Sequence, residues 1–226
     1  LILGALFATV MICETLSLLY CSSFTVAFLE NSAIVIVPII NAVALWRRPD
    51  SPVIVGCVMA LGGVAVLSFS QFGQSDIRGL AAGIASAVLY SLAIFLTGIF
   101  SRTGDAFQIG IIQVGVIGAV TLAAAVVTGG WTNEIGSIFS LNVSGWFYLL
   151  YLAVVCTVFG YTLQPVCQAK VDTDTAGMFC ALNPLFSTVL GIVVLHEALS
   201  GRAVAGCALI LVGMLIPPLT SRLKKH

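Results

Sequence analysis

Residues 183–213 read NPLFSTVLGIVVLHEALSGRAVAGCALILVG, and residues 36–63 read IVPIINAVALWRRPDSPVIVGCVMALGG. Both run from a proline inside an apolar segment, through a short charged turn, into a Gly-Cys pair and a small-residue apolar run. At a constant offset of 150 residues Thr25 meets Thr175, Leu45 meets Leu195, Gly56 meets Gly206, Cys57 meets Cys207 and Gly63 meets Gly213. Pro38 and Pro184 fall one helical turn out of register. The turns differ in charge: Arg47 and Arg48 in one copy, His196 and Glu197 in the other.

The solvent of such a chain is set by its composition. It is 60% hydrophobic and 8% charged over 226 residues, with a mean hydropathy of +1.14. A soluble domain carries about a quarter charged residues, so this chain buries its apolar surface in lipid. The net charge is zero without a basic block, which argues against nucleic acid as a partner. The seven cysteines sit in or beside apolar runs without CxxC spacing, as small packing residues do. The chain opens at Leu1 in an apolar run, without the charged n-region of a signal peptide.

A membrane helix needs about 20 apolar residues. Eight candidates follow: 1–21, 24–46, 52–70, 79–101, 107–128, 145–168, 174–196 and 201–218. The breaks between them are rich in turn residues. Trp46, Trp131 and Trp146 fall at or near helix ends, where interfacial aromatics belong. With eight spans, Arg47, Arg48, Arg102, Lys170, Arg222, Lys224 and Lys225 share the side of the C-terminus, and only Arg78 and Arg202 lie opposite. The positive-inside rule makes the C-terminal side cytoplasmic.

Spans 1, 2 and 3 correspond to spans 6, 7 and 8. That separation is an odd number of crossings, so the two copies must be inverted. The copy turning in the cytoplasm carries the arginines and the copy turning outside carries His196 and Glu197, as the charge rule requires. Inverted repeats around a midplane site are a building plan of secondary transporters. The fold class expected is all-α, a polytopic transmembrane helix bundle. Residues 1–70 supply three helices of a first repeat, 71–78 a linker, 79–218 a five-helix second repeat, and 219–226 a basic cytoplasmic tail. The first two helices of the first repeat are expected upstream of Leu1, making eight helices of ten.

Three stretches, YCSSFTVAFLENSAIVIVPIINAVALWRRP (20–49), SAVLYSLAIFLTGIFSR (86–102) and the run from Gly160 to Gly213, resemble the drug/metabolite transporter superfamily in its EamA-type branch. The resemblance covers essentially the whole chain, apart from the family's first two helices. Pro184, Glu197, Gly206 and Gly213 carry its most specific element. It implies ten helices in two inverted EamA repeats, both termini in the cytoplasm, and export of small metabolites, amino acids or drugs. The chain departs from the pattern at Asn183, where the family more often has Glu beside the proline, so a protonation site is lost there.

Ionisable groups at membrane depth are costly and face a cavity or a partner. Glu14 and Glu30 qualify. Either could bind a cationic substrate group or carry a coupling proton; otherwise Glu14 is protonated and bonded to a neighbouring helix, and Glu30 snorkels to the outer interface. Thr157, Tyr161, Gln164 and Gln168 follow helical spacing and so share one face. That face is a substrate wall or interhelical glue. Cys180, Asn183, Ser187 and Gly191 make a second small, polar face, and Asn41 lies near Glu30 and Pro38. Tyr90, Ser91 and Gln113 add polar groups from spans 4 and 5. Pro38 and Pro184 each free a backbone carbonyl in corresponding helices of the inverted pair; such breaks line cavities in transporters and elsewhere only kink a helix. Gly79 and Gly83 form a GxxxG suited to close packing. Glu197, with His196 and Arg202, suits a gate or a turn-stabilising ion pair, and HEALS lacks the second His of a zinc motif. Lys170, Asp172 and Asp174 suit a solvated interface.

The function expected is secondary transport of a small metabolite, amino acid or drug by alternating access in the cell membrane. The alternative is a non-transporting scaffold or sensor on the same fold. No phosphate-binding loop is present, no catalytic constellation lies at membrane depth, and no cofactor or metal is implied, so the chain is not read as an enzyme. Its partners are the lipid bilayer, a small-molecule substrate and, for a coupled carrier, protons; a homodimer is among the assemblies open to it.

Overall fold

The computed structural model describes residues 1–46, 50–68, 76–128, 140–186, 189 and 201–223. Arg47, Arg48, Trp131, Ser187, Gly191, His196, Glu197, Lys224 and Lys225 lie outside them. Among the described residues the regular structure is helical throughout. In chain order the helices are α1 (Ile2–Tyr20), α2 (Ser23–Asn31), α3 (Ala33–Leu45), α4 (Ser51–Ser68), α5 (Ile77–Thr103) and α6 (Ala106–Val127). There follow α7 (Val143–Tyr151), a π-helical segment (Leu152–Phe159), α8 (Gly160–Gln168), α9 (Thr173–Phe179) and α10 (Gly201–Leu223). Among the described residues, five helical stretches are long and apolar enough to cross a membrane: Ile2–Tyr20, Thr25–Ala44, Ile77–Thr103, Ala106–Val127 and Val143–Gln168. Ser51–Val66 and Val204–Pro217 are apolar but shorter.

Polar side chains start several of these helices by satisfying amides that a first turn leaves open. The Ser22 hydroxyl accepts from the Thr25 amide at 3.3 Å. Asp105 accepts from the amides of Phe107 and Gln108 at 3.0 and 3.3 Å, and Asn142 from that of Gly145 at 2.8 Å. Trp46 ends α3 in the left-handed region, at φ 51°, with 95% of its surface exposed.

Three departures from regular helix interrupt the spans. The second span is interrupted at Ser32, whose hydroxyl donates to the Leu29 carbonyl and competes with the helical ladder; Pro38 itself sits buried inside α3. The seventh span breaks at Cys180–Ala181 and resumes helical backbone over 182–186. Cys180 is four residues before Pro184, the position whose carbonyl a helical proline ring would strike. The sixth span is α-helical only at its ends. In its π segment the Thr157 hydroxyl donates to the carbonyl of Leu152, five residues back.

The chain forms two compact units. The first comprises Leu1–Ile12 with Leu96–Val171, the second Cys13–Phe95 with Asp172–His226. In the second unit α4 and α10 run antiparallel at backbone contact. A Cβ on Gly56 would lie 2.5 Å from the Gly213 oxygen, one on Gly213 2.6 Å from the Gly56 oxygen, and one on Gly63 2.6 Å from the Gly206 oxygen. The aligned glycines of the two sequence copies therefore cross over, 56 with 213 and 63 with 206, as a pseudo-two-fold axis between inverted copies demands. Helices α3 and α9 are also antiparallel: Val37 meets Gly177, and Asn41 meets Asp174.

Candidate functional site

In the second unit, helix α5 presents Gly79 and Gly83 to α1 and α2. A Cβ on Gly79 would meet Cys21 Sγ at 2.6 Å and Tyr20 Cβ at 2.7 Å; one on Gly83 would meet Leu29 Cδ1 at 2.7 Å and Ser17 Oγ at 2.8 Å. The GxxxG thus packs helices within the chain. Ser17 seals the seam by donating to the Gly79 carbonyl at 2.8 Å. This packing brings the two intramembrane carboxylates together. Glu14 is one turn before Ser17 and Glu30 follows Leu29, so both flank the Gly83 contact. Both are half-buried and lie within reach of each other's charge.

Tyr90 is two turns beyond Gly83 on the same face of α5. Its hydroxyl oxygen accepts from the Cys180 thiol at 3.9 Å, and Glu30 is within electrostatic reach of that buried cysteine. Glu14, Glu30, Tyr90 and Cys180 therefore form one neighbourhood drawn from α1, α2, α5 and the break after α9. Asn41 is half-buried and engaged elsewhere: its amide donates to Asp174 Oδ1 at 2.8 Å. Asp174, read from sequence as a solvated interface residue, is half-buried in that pair. Nothing in the sequence marks the partnership, whose members are 133 residues apart. Ser91 is buried and donates to the Ala87 carbonyl at 2.6 Å. Asn183 is exposed, whereas Cys180 on the same expected face is buried; the break between them dissolves that face. Pro38 is buried and Pro184 half-buried, each shortly after an interruption. Glu197 lies outside the described residues.

In the first unit, α6 packs on α8 at a glycine. A Cβ on Gly110 would collide with the Thr162 backbone, so only glycine permits this approach. One turn on, Gln113 is 1% exposed. The N-terminal half of α1 covers it: a Cβ on Gly4 would lie 2.9 Å from the Gln113 carbonyl oxygen. Phe7 meets the Tyr161 ring edge-on with centroids 5.2 Å apart. Tyr161, Gln164 and Gln168 keep their common face within α8, with Gln168 buried and the others half-buried. The π segment breaks the expected continuity to Thr157, whose hydroxyl is engaged with Leu152. Thr97 and Ser101 on α5 are also buried; their i, i+4 spacing was the only sequence signal for them.

The EamA-like transporter family matches residues 77–216. An uncharacterized transporter of Archaeoglobus fulgidus is 28% identical over 206 residues, 87% of this chain and 68% of that protein. The uncharacterized transporter YvbV of Bacillus subtilis is 24% identical over 174 residues, 76% of this chain and 55% of that protein. A solved crystal structure shares the fold, with a TM-score of 0.75 at 20% identity, covering 97% of this chain and 75% of its own. Apolar spans, an antiparallel glycine crossing between inverted copies and a family match over more than half the chain agree: this is a multi-pass membrane protein belonging to the EamA-like transporter family.

Proposed function

We propose that the chain moves a small polar metabolite, amino acid or drug across the cell membrane by alternating access, with export as its direction and its C-terminus in the cytoplasm. The observation that carries this reading is the Glu14–Glu30 pair. Two carboxylates on neighbouring apolar helices, within reach of each other's charge, are costly to keep in a membrane and are the kind of group that serves ion or substrate traffic. Tyr90 supplies a hydroxyl beside them. The pair binds a cationic group of the substrate or exchanges it for a proton. Asn41, tied to Asp174, holds α3 against α9, and Tyr161, Gln164 and Gln168 supply donors and acceptors in the first unit.

The test is transport in proteoliposomes under an imposed pH gradient, with a panel of amines, amino acids and neutral metabolites. Glu14→Gln should abolish pH-driven accumulation while leaving solute exchange intact. Equal pH dependence in the variant and the parent would remove proton coupling from Glu14.

A further inference from the structure

Buried polar side chains are handled differently in the two units. In the second unit they bond to protein: Ser17 donates to the Gly79 carbonyl, Asn31 to that of Ala27 and Ser91 to that of Ala87. Among the described residues, the buried side-chain oxygens and nitrogens without a hydrogen-bond partner are Thr97 Oγ1, Ser101 Oγ, both amide atoms of Gln113, and Gln168 Oε1. All four residues belong to the first unit. Each is more than nine-tenths buried: Thr97 0%, Gln113 1%, Ser101 4% and Gln168 8% exposed. Interhelical glue would bond these groups to one another, and they do not bond. A buried donor or acceptor left unmet costs the full desolvation of the group, and such atoms in native proteins point to water or a ligand.

Their positions are ordered. Helices α5 and α6 are joined by the short turn at Gly104–Asp105, so the end of one and the start of the other lie at the same end of the unit. The Arg102 guanidinium donates to the Val171 carbonyl at 2.7 Å, which brings the end of α8 to that level as well. Ser101 and Gln168 therefore sit near this end. Thr97 is six residues inside the end of α5 and Gln113 seven inside the start of α6, which at the helical rise is about 9–10 Å deep for both. The unmet groups form a shallow layer and a deep layer below it. Close backbone contacts at Gly110 and Gly4 wall the unit on the α8 and α1 sides, so access to the deep layer runs along the helices from the shallow one. The four side chains carry no ionisable group, so the layers suit neutral hydrogen-bonding partners.

We propose that Ser101, Gln168, Thr97 and Gln113 line a hydrated path that enters the first unit from the end carrying Asp105 and Lys170, and takes water and small neutral solutes bearing hydroxyl or carboxamide groups. The inference rests on the transporter reading for its purpose, but its test requires no transport.

The full chain with its native cysteines replaced is given a single Ser101→Cys, Thr97→Cys or Gln113→Cys change. It is reconstituted in liposomes and treated with hydroxyethyl methanethiosulfonate, a small neutral reagent that bears a hydroxyl. A thiol reacts as its thiolate, so a hydrated position should label about tenfold or more faster than Ala8→Cys, a fully buried apolar position in the same unit. Labelling at Ser101 and Thr97 above that control supports the path whether or not any solute is transported; labelling no faster than the control overturns it. Ser101→Cys is nearly isosteric and safeguards the test against misfolding of the bulkier changes. Gln113→Leu supplies a second reading. A melting temperature unchanged or lowered is expected of an amide already satisfied by water, and a raised one would mean a dry, unmet amide and would overturn the path.

Discussion

Gly56 and Gly213 hold each other at backbone distance: a Cβ on either would lie 2.5–2.6 Å from the carbonyl oxygen of the other. The obstacle is backbone on both sides, which no side-chain rotation can relieve. Gly56→Leu or Gly213→Leu should therefore destabilise by about 1–3 kcal/mol or more, the usual cost of overpacking. Gly62, on the same α4 helix with nothing within 4 Å of its Cβ position, is the control. Gly62→Ala should be neutral or stabilising by up to about 1 kcal/mol, since alanine favours helix over glycine. Thermal unfolding in detergent reads both; equal losses at 56 and 62 would contradict the seam.

Gly110 makes the same prediction in the first unit. Gly110→Ala should force α6 away from the Thr162 backbone and lower the melting temperature. Gly115→Ala and Gly118→Ala, with open space at their Cβ positions, should not. A melting temperature for Gly110→Ala as high as those of Gly115→Ala and Gly118→Ala would mean that α6 and α8 are not in this register.

The Asn41–Asp174 bond is a neutral donor meeting a carboxylate at 2.8 Å. Hydrogen bonds to charged groups are worth about 1.5–3 kcal/mol. A double-mutant cycle with Asn41→Ala and Asp174→Ala should return a coupling in that range, because neighbouring groups are not additive. Additive losses would show that the two side chains act separately.

Phe7 is fully buried and meets Tyr161 edge-on. Phe7→Ala should cost about 3–5 kcal/mol, by the measure of buried aromatic truncations, whereas Tyr161→Phe keeps the ring and its edge-on contact with Phe7. Transport by Tyr161→Phe then reports on the hydroxyl alone. Loss of transport with stability intact would assign that hydroxyl a role in the solute path.

Much of the architecture was legible because lipid imposes a simple code. Long apolar runs had to be helices. Gly56 and Gly206 announced themselves through identical Gly-Cys pairs, but that each would cross a glycine of the other copy, 213 or 63, became visible only in the packing of α4 on α10. The π segment was not legible, because LAVVCTVF is uniformly apolar and a change of helical pitch leaves no mark on hydropathy. The interruption at Ser32 was hidden for a related reason: it depends on one hydroxyl choosing a carbonyl. Glu14 and Glu30 stood out as charges in lipid, but that they neighbour each other required the glycines of α5. Thr97 and Ser101 escaped notice because small hydroxyls in a membrane helix usually bond back to their own backbone.

The seam between α4 and α10 has a further meaning. It is isologous: the same spaced pair of glycines is presented by both faces, and each glycine of one meets the opposite glycine of the other. An isologous contact needs only one sequence to specify it. A single repeat inserted in the membrane in both orientations would build this contact from two chains. The present chain holds both antiparallel copies covalently, so the sequence around each glycine pair is free to diverge while the crossing itself is kept.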